Sequence, residues 1–488
     1  MDRDGFKCRM TGVFHSSGDL LLRDIDAGGS DCCLVFLDGL SDKLLLEQDV
    51  IAPLSALKTP LSGENASSED IRARLLSELP FCQDIPALPF SAAVEKIAAG
   101  DAALFVPGAE ELMIFSLRKF EKRAVAEPPT ATVLKGPREG FIEEIKTNTA
   151  LVRRRIKSPD LVFENLTVGR FSGTPVSLAY IHGVADPRTV DEIRRRLSEI
   201  DTDGVIDSSY LAAFLEPTPL SLFKRVGGTE KPDIVAAKLL EGRVAVIADG
   251  SPIVLTMPFV FAEDLQDSYD YFAGDKRAAA ARIFRLFGAA LTVLLPAAYV
   301  ALQSAHYHLL PLKFLMTLVG ATSSIPFPPA VEMLVVLLLF EILNEASVRM
   351  PRYLGVSLSI VGAIVLGDTA VKAGLISSPA VLVTALSSIG VFCVPDQVGT
   401  LSVLRIAFLL VSAVLGLFGM IVAFLCLTAY LSCLSSFGSP YLAPYAPRIS
   451  PDLKDGALPS PVSEMYTRPY TVSTKNRTRM RKKEDSCD

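Results

Sequence analysis

The chain has 488 residues, 50% of them hydrophobic, with a formal net charge of −6 and a mean hydropathy of +0.37. The length allows about three domains. The average hides a split: residues 1–280 are charged and mixed, and the apolar excess sits in 283–434, which excludes a wholly soluble globular chain.

Residues 1–10 hold Asp2, Arg3, Asp4, Lys7 and Arg9 and no apolar run, so they read as lacking an export signal. The upstream part then reads as a cytoplasmic head. Residues 19–25 and 32–37 read as strands, with Asp38-Gly39 as a turn. Asp42 is a good N-cap for a helix over 43–51, stopped before Pro53. A loop over 59–68 precedes a helix over 69–79. A second helix, 91–99, ends at Gly100, and strands 102–106 and 111–117 flank Pro107-Gly108.

Residues 124–140 contain Pro128, Pro129, Gly136 and Pro137 and read as a linker between two lobes. A helical pattern over 141–156 ends in Arg153-Arg154-Arg155. Strands follow at 160–168 and 176–181, then a charged amphipathic helix at 189–200 and a short helix at 208–215. A helix over 233–240 ends at Gly242, and strands 243–248 and 252–257 pair across Asp249-Gly250-Ser251. The two lobes repeat one plan of strand, glycine, helix, loop, helix, glycine and hairpin. The domains are therefore expected at 1–123, 124–140 (linker), 141–275, 276–434 (membrane) and 435–488 (Pro-rich, then basic tail).

The head shows no glycine-rich phosphate cradle after a strand, no H-E-x-x-H and no nucleophile elbow. No catalytic, cofactor or metal site is expected. The basic runs Arg153–Arg155 and Arg194–Arg196 lack interleaved aromatics, so they read as helix faces or lobe contacts, not as nucleic-acid sites. Arg138, Glu139, Arg153 and Arg154 are the candidate inter-lobe or partner contacts. Cys32-Cys33 reads as part of a buried strand in a reducing compartment.

In the apolar part, 283–302 is long enough for a bilayer of about 30 Å. Lys276, Arg277, Arg282 and Arg285 precede or enter it, as a cytosolic flank should. The runs 331–343, 354–373, 380–394 and 406–434 bring the expectation to about five spans. Glu332 and Glu345 read as headgroup-level residues, and Glu341 as a carboxylate kept at depth for a purpose, because burial there costs about 3 kcal/mol. The small residues of 354–373 suit close helix packing or the lining of a narrow pore. Glu341, Ser359, Gly362, Val365 and Asp368 are the candidate ion-path or gating residues, and Asp368 and Lys372 stand one turn apart. Five spans would leave the tail outside, whereas Lys475, Arg477, Arg479, Arg481, Lys482 and Lys483 prefer the inside. The sequence leaves that parity open.

Several stretches are similar to the A subunit of GerA-type spore germination receptors. They are Gly136-Pro137-Arg138-Glu139-Gly140-Phe141-Ile142-Glu143, Thr147-Asn148, Thr229-Glu230-Lys231-Pro232-Asp233, Pro326-Phe327-Pro328, Arg349-Met350-Pro351-Arg352 and Ser436-Phe437-Gly438-Ser439-Pro440-Tyr441. The resemblance implies an α/β two-lobed cytosolic head followed by an all-α polytopic domain in the inner membrane of the spore. It also implies a transporter-like B subunit and a lipoprotein C subunit as partners, homo-oligomers, and a nutrient-triggered ion path formed or gated by the chain. The competing expectation is a regulatory subunit of a secondary transporter-like complex, which intramembrane Glu341 suits and the absence of an inverted repeat does not.

Overall fold

The computed structural model describes residues 2–61, 67–80, 84–119, 136–216, 221–273, 275–349 and 365–480. They form two compact units. The first contains Met1–Phe259, Ser435–Ser439 and Ser463–Asp488, and the second Val260–Leu434 and Pro440–Val462. Residues after 434, expected to be a separate tail, are thus divided between the two.

The first unit holds two five-stranded sheets of identical design. One is ordered β1 (Leu20–Ala27), β2 (Ser30–Leu37), β4 (Ala102–Phe105), β5 (Leu112–Phe115), β3 (Ala87–Leu88). The other runs β6 (Leu161–Val168), β7 (Thr174–Ile181), β9 (Val244–Ala248), β10 (Val254–Met257), β8 (Gly227–Thr229). Neighbouring strands pair antiparallel throughout. Each sheet is covered on both faces, which is why strand β2 is apolar at nearly every position rather than at alternate ones. Cys32, Leu34 and Phe36 pack with Leu46, Ile71 and Leu75, while Cys33, Val35 and Leu37 pack with Phe6, Met10 and Ile97.

The helices largely follow the sequence. Helices α1 (Arg3–Val13), α2 (Ser68–Glu78) and α3 (Phe90–Ala98) serve the first sheet, and α4 (Ile145–Arg155), α5 (Pro187–Ser198), α6 (Ser208–Leu215) and α7 (Pro232–Glu241) the second. Helix α1 was not expected, although Asp2 caps it and Phe6 and Met10 stand one turn apart on its buried face. Asp42 caps the next helical stretch as expected. That stretch does not stop before Pro53: a widened turn over Leu46–Ile51 leads into Ala52–Ala56, where the proline sits at a helix start that needs no N–H from it. The first hairpin turns at Gly28-Gly29, both at positive φ, and Asp38-Gly39 makes the expected turn after β2, with Gly39 at φ 80°. The repeated glycines have one job each: Gly100 and Gly242 end α3 and α7 in the left-handed region, at φ 102° and 99°, where a Cβ is disfavoured.

Burial decides the behaviour of the vicinal cysteines. It pushes the Cys32 thiol up to about 12 and the Cys33 thiol up to about 11, so neither is a thiolate at neutral pH. In the folded protein a maleimide should modify exposed Cys8 and leave Cys32 and Cys33 untouched until denaturant is added. Peptide mass spectrometry reads this directly, and rapid native labelling at either buried position would contradict it.

The second unit is helical: α8 (Asp275–Ser304), α9 (Leu312–Thr322), α10 (Pro329–Arg349), α11 (Ser378–Val391) and α12 (Val398–Cys433). Among the described residues, two helices, Lys276–Ser304 and Pro395–Cys433, are long and apolar enough to cross a membrane. Helix α9 is short, and the expected run 354–373 lies mostly outside the described residues.

Candidate functional site

A charged side chain inside an apolar bundle is costly unless something answers it, so a buried charge in the second unit marks a candidate site. Helix α12 carries Arg405, fully buried. Its guanidinium meets the carboxylate of Glu341 on α10 and donates to the hydroxyls of Ser387 at 3.2 Å and Ser388 at 3.4 Å on α11. The Glu341 side chain is 28% exposed, so one end of the pair is dry and the other reaches the surface of the unit. Thr292 of α8 continues the polar seam, donating to the Ser387 carbonyl at 3.1 Å, while Ser387 Oγ donates back to the Thr292 carbonyl at 2.8 Å. These helices pack closely there: a Cβ on Gly390 would come within 2.5 Å of the Gly288 carbonyl oxygen.

Glu332, expected at headgroup level, has its side chain inside the unit. It is 2% exposed and accepts the N–H of Ser377 at 2.6 Å, which satisfies a free donor at the start of α11. Asp368 is exposed and pairs with Lys372 at 2.8 Å. Val365 opens a short wide turn, Val365–Thr369, and Ser359 and Gly362 lie outside the described residues. Among the described residues no hydrogen bond or ion pair joins Glu341 to Asp368.

In the first unit Arg153 is buried to 1% and joins the two sheets' halves. Its Nε and Nη2 each donate to Asp19 at 2.9 Å, and Nη1 donates to the Ser158 carbonyl at 2.9 Å. The guanidinium lies over Phe163, 5.1 Å from the ring centre. Backbone contacts tighten the same joint: Gly18 donates to the Phe163 carbonyl at 2.7 Å, and Phe163 donates to Ser17 Oγ at 3.0 Å. His15 stacks on His182 at 3.8 Å and lies 3.3 Å from Asp160.

Arg154 and Arg155 both hold Glu139. Burial opposes ionisation of that carboxyl, but the two guanidiniums prevail and keep it below the usual glutamate range. Arg138 is exposed. A cleft of about 340 Å³ opens beside this helix, lined by Asp38, Asp42, Lys43, Lys119, Lys146 and Arg154 among others.

Arg405 was missed in the sequence because the last apolar run was started one residue after it. The signal was present: Val403-Leu404 precede it and Ile406-Ala407-Phe408 follow, so it is a lone cation within apolar sequence.

The molecule is therefore a duplicated α/β unit joined to an apolar helical unit with a buried ion pair. The chain belongs to the GerA family, described as Bacillus/Clostridium GerA spore germination protein, whose profile matches residues 9–471. Spore germination protein KA of Bacillus subtilis is 34% identical over 473 residues, covering 96% of this chain and 86% of that protein. Spore germination protein GerLA of Bacillus cereus is 33% identical, covering 95% and 94%. The uncharacterized membrane protein YfkQ of Bacillus subtilis is 33% identical, covering 98% and 93%. Among solved structures, the N-terminal domain of the A subunit of the Bacillus megaterium spore germinant receptor GerK3 is 28% identical, with a TM-score of 0.42, covering 53% of this chain and 95% of that one.

Proposed function

We propose that this chain is the A-type subunit of a nutrient-responsive germinant receptor and acts by forming or gating an ion path rather than by catalysis. The observation that carries the receptor reading is the family match over residues 9–471. In this reading the second unit sits in the inner membrane of the spore as a multi-span domain, and the first is its cytoplasmic head. The chain works as a homo-oligomer with a transporter-like B subunit and a lipoprotein C subunit. Glu341 and Arg405 supply the charged element of the path: a buried pair of opposite sign that reaches the unit's surface on one side. Such a pair can stay closed at rest and open when partner helices shift, because packed interiors are bistable rather than continuously deformable.

The test is ion efflux from liposomes holding the purified chain, with particle mass recorded on the same sample. Efflux from a defined homo-oligomer is the expected result. Silence from a homogeneous monomer would overturn the reading that the chain forms the path itself and leave it as a transducer that works only with its partners. Spores lacking the chain should lose the response to at least one nutrient, and an unchanged response to every nutrient would overturn the receptor reading.

A further inference from the structure

Helix α12 has 36 residues and, if straight, would be about 54 Å long, far more than a bilayer core of about 30 Å. Its two ends nevertheless lie close together. At its start, Gln397 Nε2 donates to Asp264 Oδ2 at 2.7 Å. Just past its end, Tyr441 N donates to the Leu434 carbonyl at 3.0 Å, and Phe261 N donates to the Tyr441 carbonyl at 2.8 Å. Residues 261 and 264 lie in one short helical turn, Phe261–Leu265. Through these contacts, residues 397 and 434 are at most roughly 30 Å apart.

The break is at Gly416, whose φ of 61° and ψ of −148° are not helical and suit glycine alone. Across it, a Cβ on Gly419 would lie 3.1 Å from the Val411 carbonyl oxygen. A straight helix separates residues eight apart by about 12 Å. Residues 398–415 and 417–433 are thus two arms of a helical hairpin, about 27 Å and about 25 Å long.

The tip lies at the opposite end of the unit from residue 264. Ser412 Oγ donates to the Ala297 carbonyl at 2.6 Å, and a Cβ on Gly416 would meet His306 at 2.7 Å and Ala305 at 2.9 Å. The first arm therefore climbs α8 in parallel, from the level of Asp264 to the loop after Ser304. The returning arm carries no charged residue and presents Phe418, Ile421 and Leu425, each more than half exposed, as lipid-facing residues should be.

Beyond the hairpin the chain rejoins the α/β unit. Ser436 Oγ accepts from Phe259 N at 3.0 Å and donates to the Arg225 carbonyl at 2.7 Å. Thr474 Oγ1 donates to the Val184 carbonyl at 2.6 Å in a buried contact. One folded unit cannot stand on both sides of a bilayer, so the number of crossings between Phe259 and Ser435 is even.

We propose that α12 crosses the bilayer twice, turning at Gly416, so that the C-terminal tail lies on the same face as the head. This rests on the reading of the second unit as membrane-embedded. It also removes the conflict between an odd number of spans and a basic tail.

The test uses the full chain in sealed vesicles and a membrane-impermeant maleimide, with peptide mass spectrometry reading each site separately. Native Cys8 marks the head, and Asn476→Cys and Val414→Cys are placed at exposed positions. Expected is labelling of Cys8 and of the variant at 476 from one face, and of the variant at 414 from the other. Labelling of the variant at 476 from the face opposite Cys8, or protection of the variant at 414 from both faces, would overturn the hairpin while leaving the membrane reading intact. Release of the chain by alkaline carbonate would overturn both.

Discussion

Glu341→Gln should destabilise the apolar unit by about 3–5 kcal/mol, because it leaves the Arg405 guanidinium buried without a counter-charge. The value belongs toward the lower end, since the Glu341 side chain keeps 28% of its exposure and water answers part of the loss. The hydroxyls of Ser387 and Ser388, at 3.2 Å and 3.4 Å, offer dipoles but no charge. Replacing both partners, Glu341→Leu with Arg405→Met, should recover most of the lost stability, since a well-packed apolar pair of similar volume is neutral or better in such sites. Thermal unfolding in detergent separates the two outcomes. The single variant melting at the wild-type temperature would show that the pair contributes nothing to the fold.

Ion flux separates function from packing. If the pair is the charged element of the path, the double variant folds well and still conducts abnormally. Normal flux from a stable double variant would remove Glu341 and Arg405 from the path.

The second large effect is expected at the joint inside the head. Arg153→Ala removes two bonds to Asp19, one to the Ser158 carbonyl and the cation held over Phe163, and it leaves Asp19 buried without its counter-charge, with the Ser17 hydroxyl still donating to it. That combination should also cost about 3–5 kcal/mol. Arg153→Lys should rescue little, because an ammonium cannot reproduce the planar fork that grips both carboxylate oxygens. Calorimetry of the full chain should then show the α/β unit melting in two steps where the native unit melts in one. A single unchanged transition would mean that the two sheets are held together chiefly by other contacts.

Much of the head was readable because its signals are local. Asp42, Gly100 and Gly242 mark helix ends by their own chemistry, and β1, β2, β6 and β7 carry long apolar stretches. The edge strands Ala87–Leu88 and Gly227–Thr229 were not seen, since two or three residues carry no period. The shared order of the two sheets was not readable either: repeated spacings hinted at duplication, but pairing across a sheet is non-local. In the apolar part, hydropathy found the helices and lost their geometry. It treats 406–434 as one run because a glycine at positive φ leaves the average unchanged, so the reversal at Gly416 has no composition signal. Glu341 and Arg405 each stand out by charge in apolar sequence, whereas their pairing and the buried role of Glu332 depend on which helices lie side by side.

The closing contacts of the α/β unit also set an order of assembly. Thr474 docks on the Val184 carbonyl, Ser436 on the Arg225 carbonyl, and Arg196 lies over the Phe437 ring at 5.0 Å. All three late residues are translated after α12, the last long helix of the apolar unit. Because chains emerge from the ribosome N-terminus first and domains generally fold as they appear, the second sheet must wait, incompletely covered, through the synthesis of helices α8 to α12. Its final side chains arrive only when those helices have been made, so the completed α/β unit doubles as a record that the helical unit has already been synthesised.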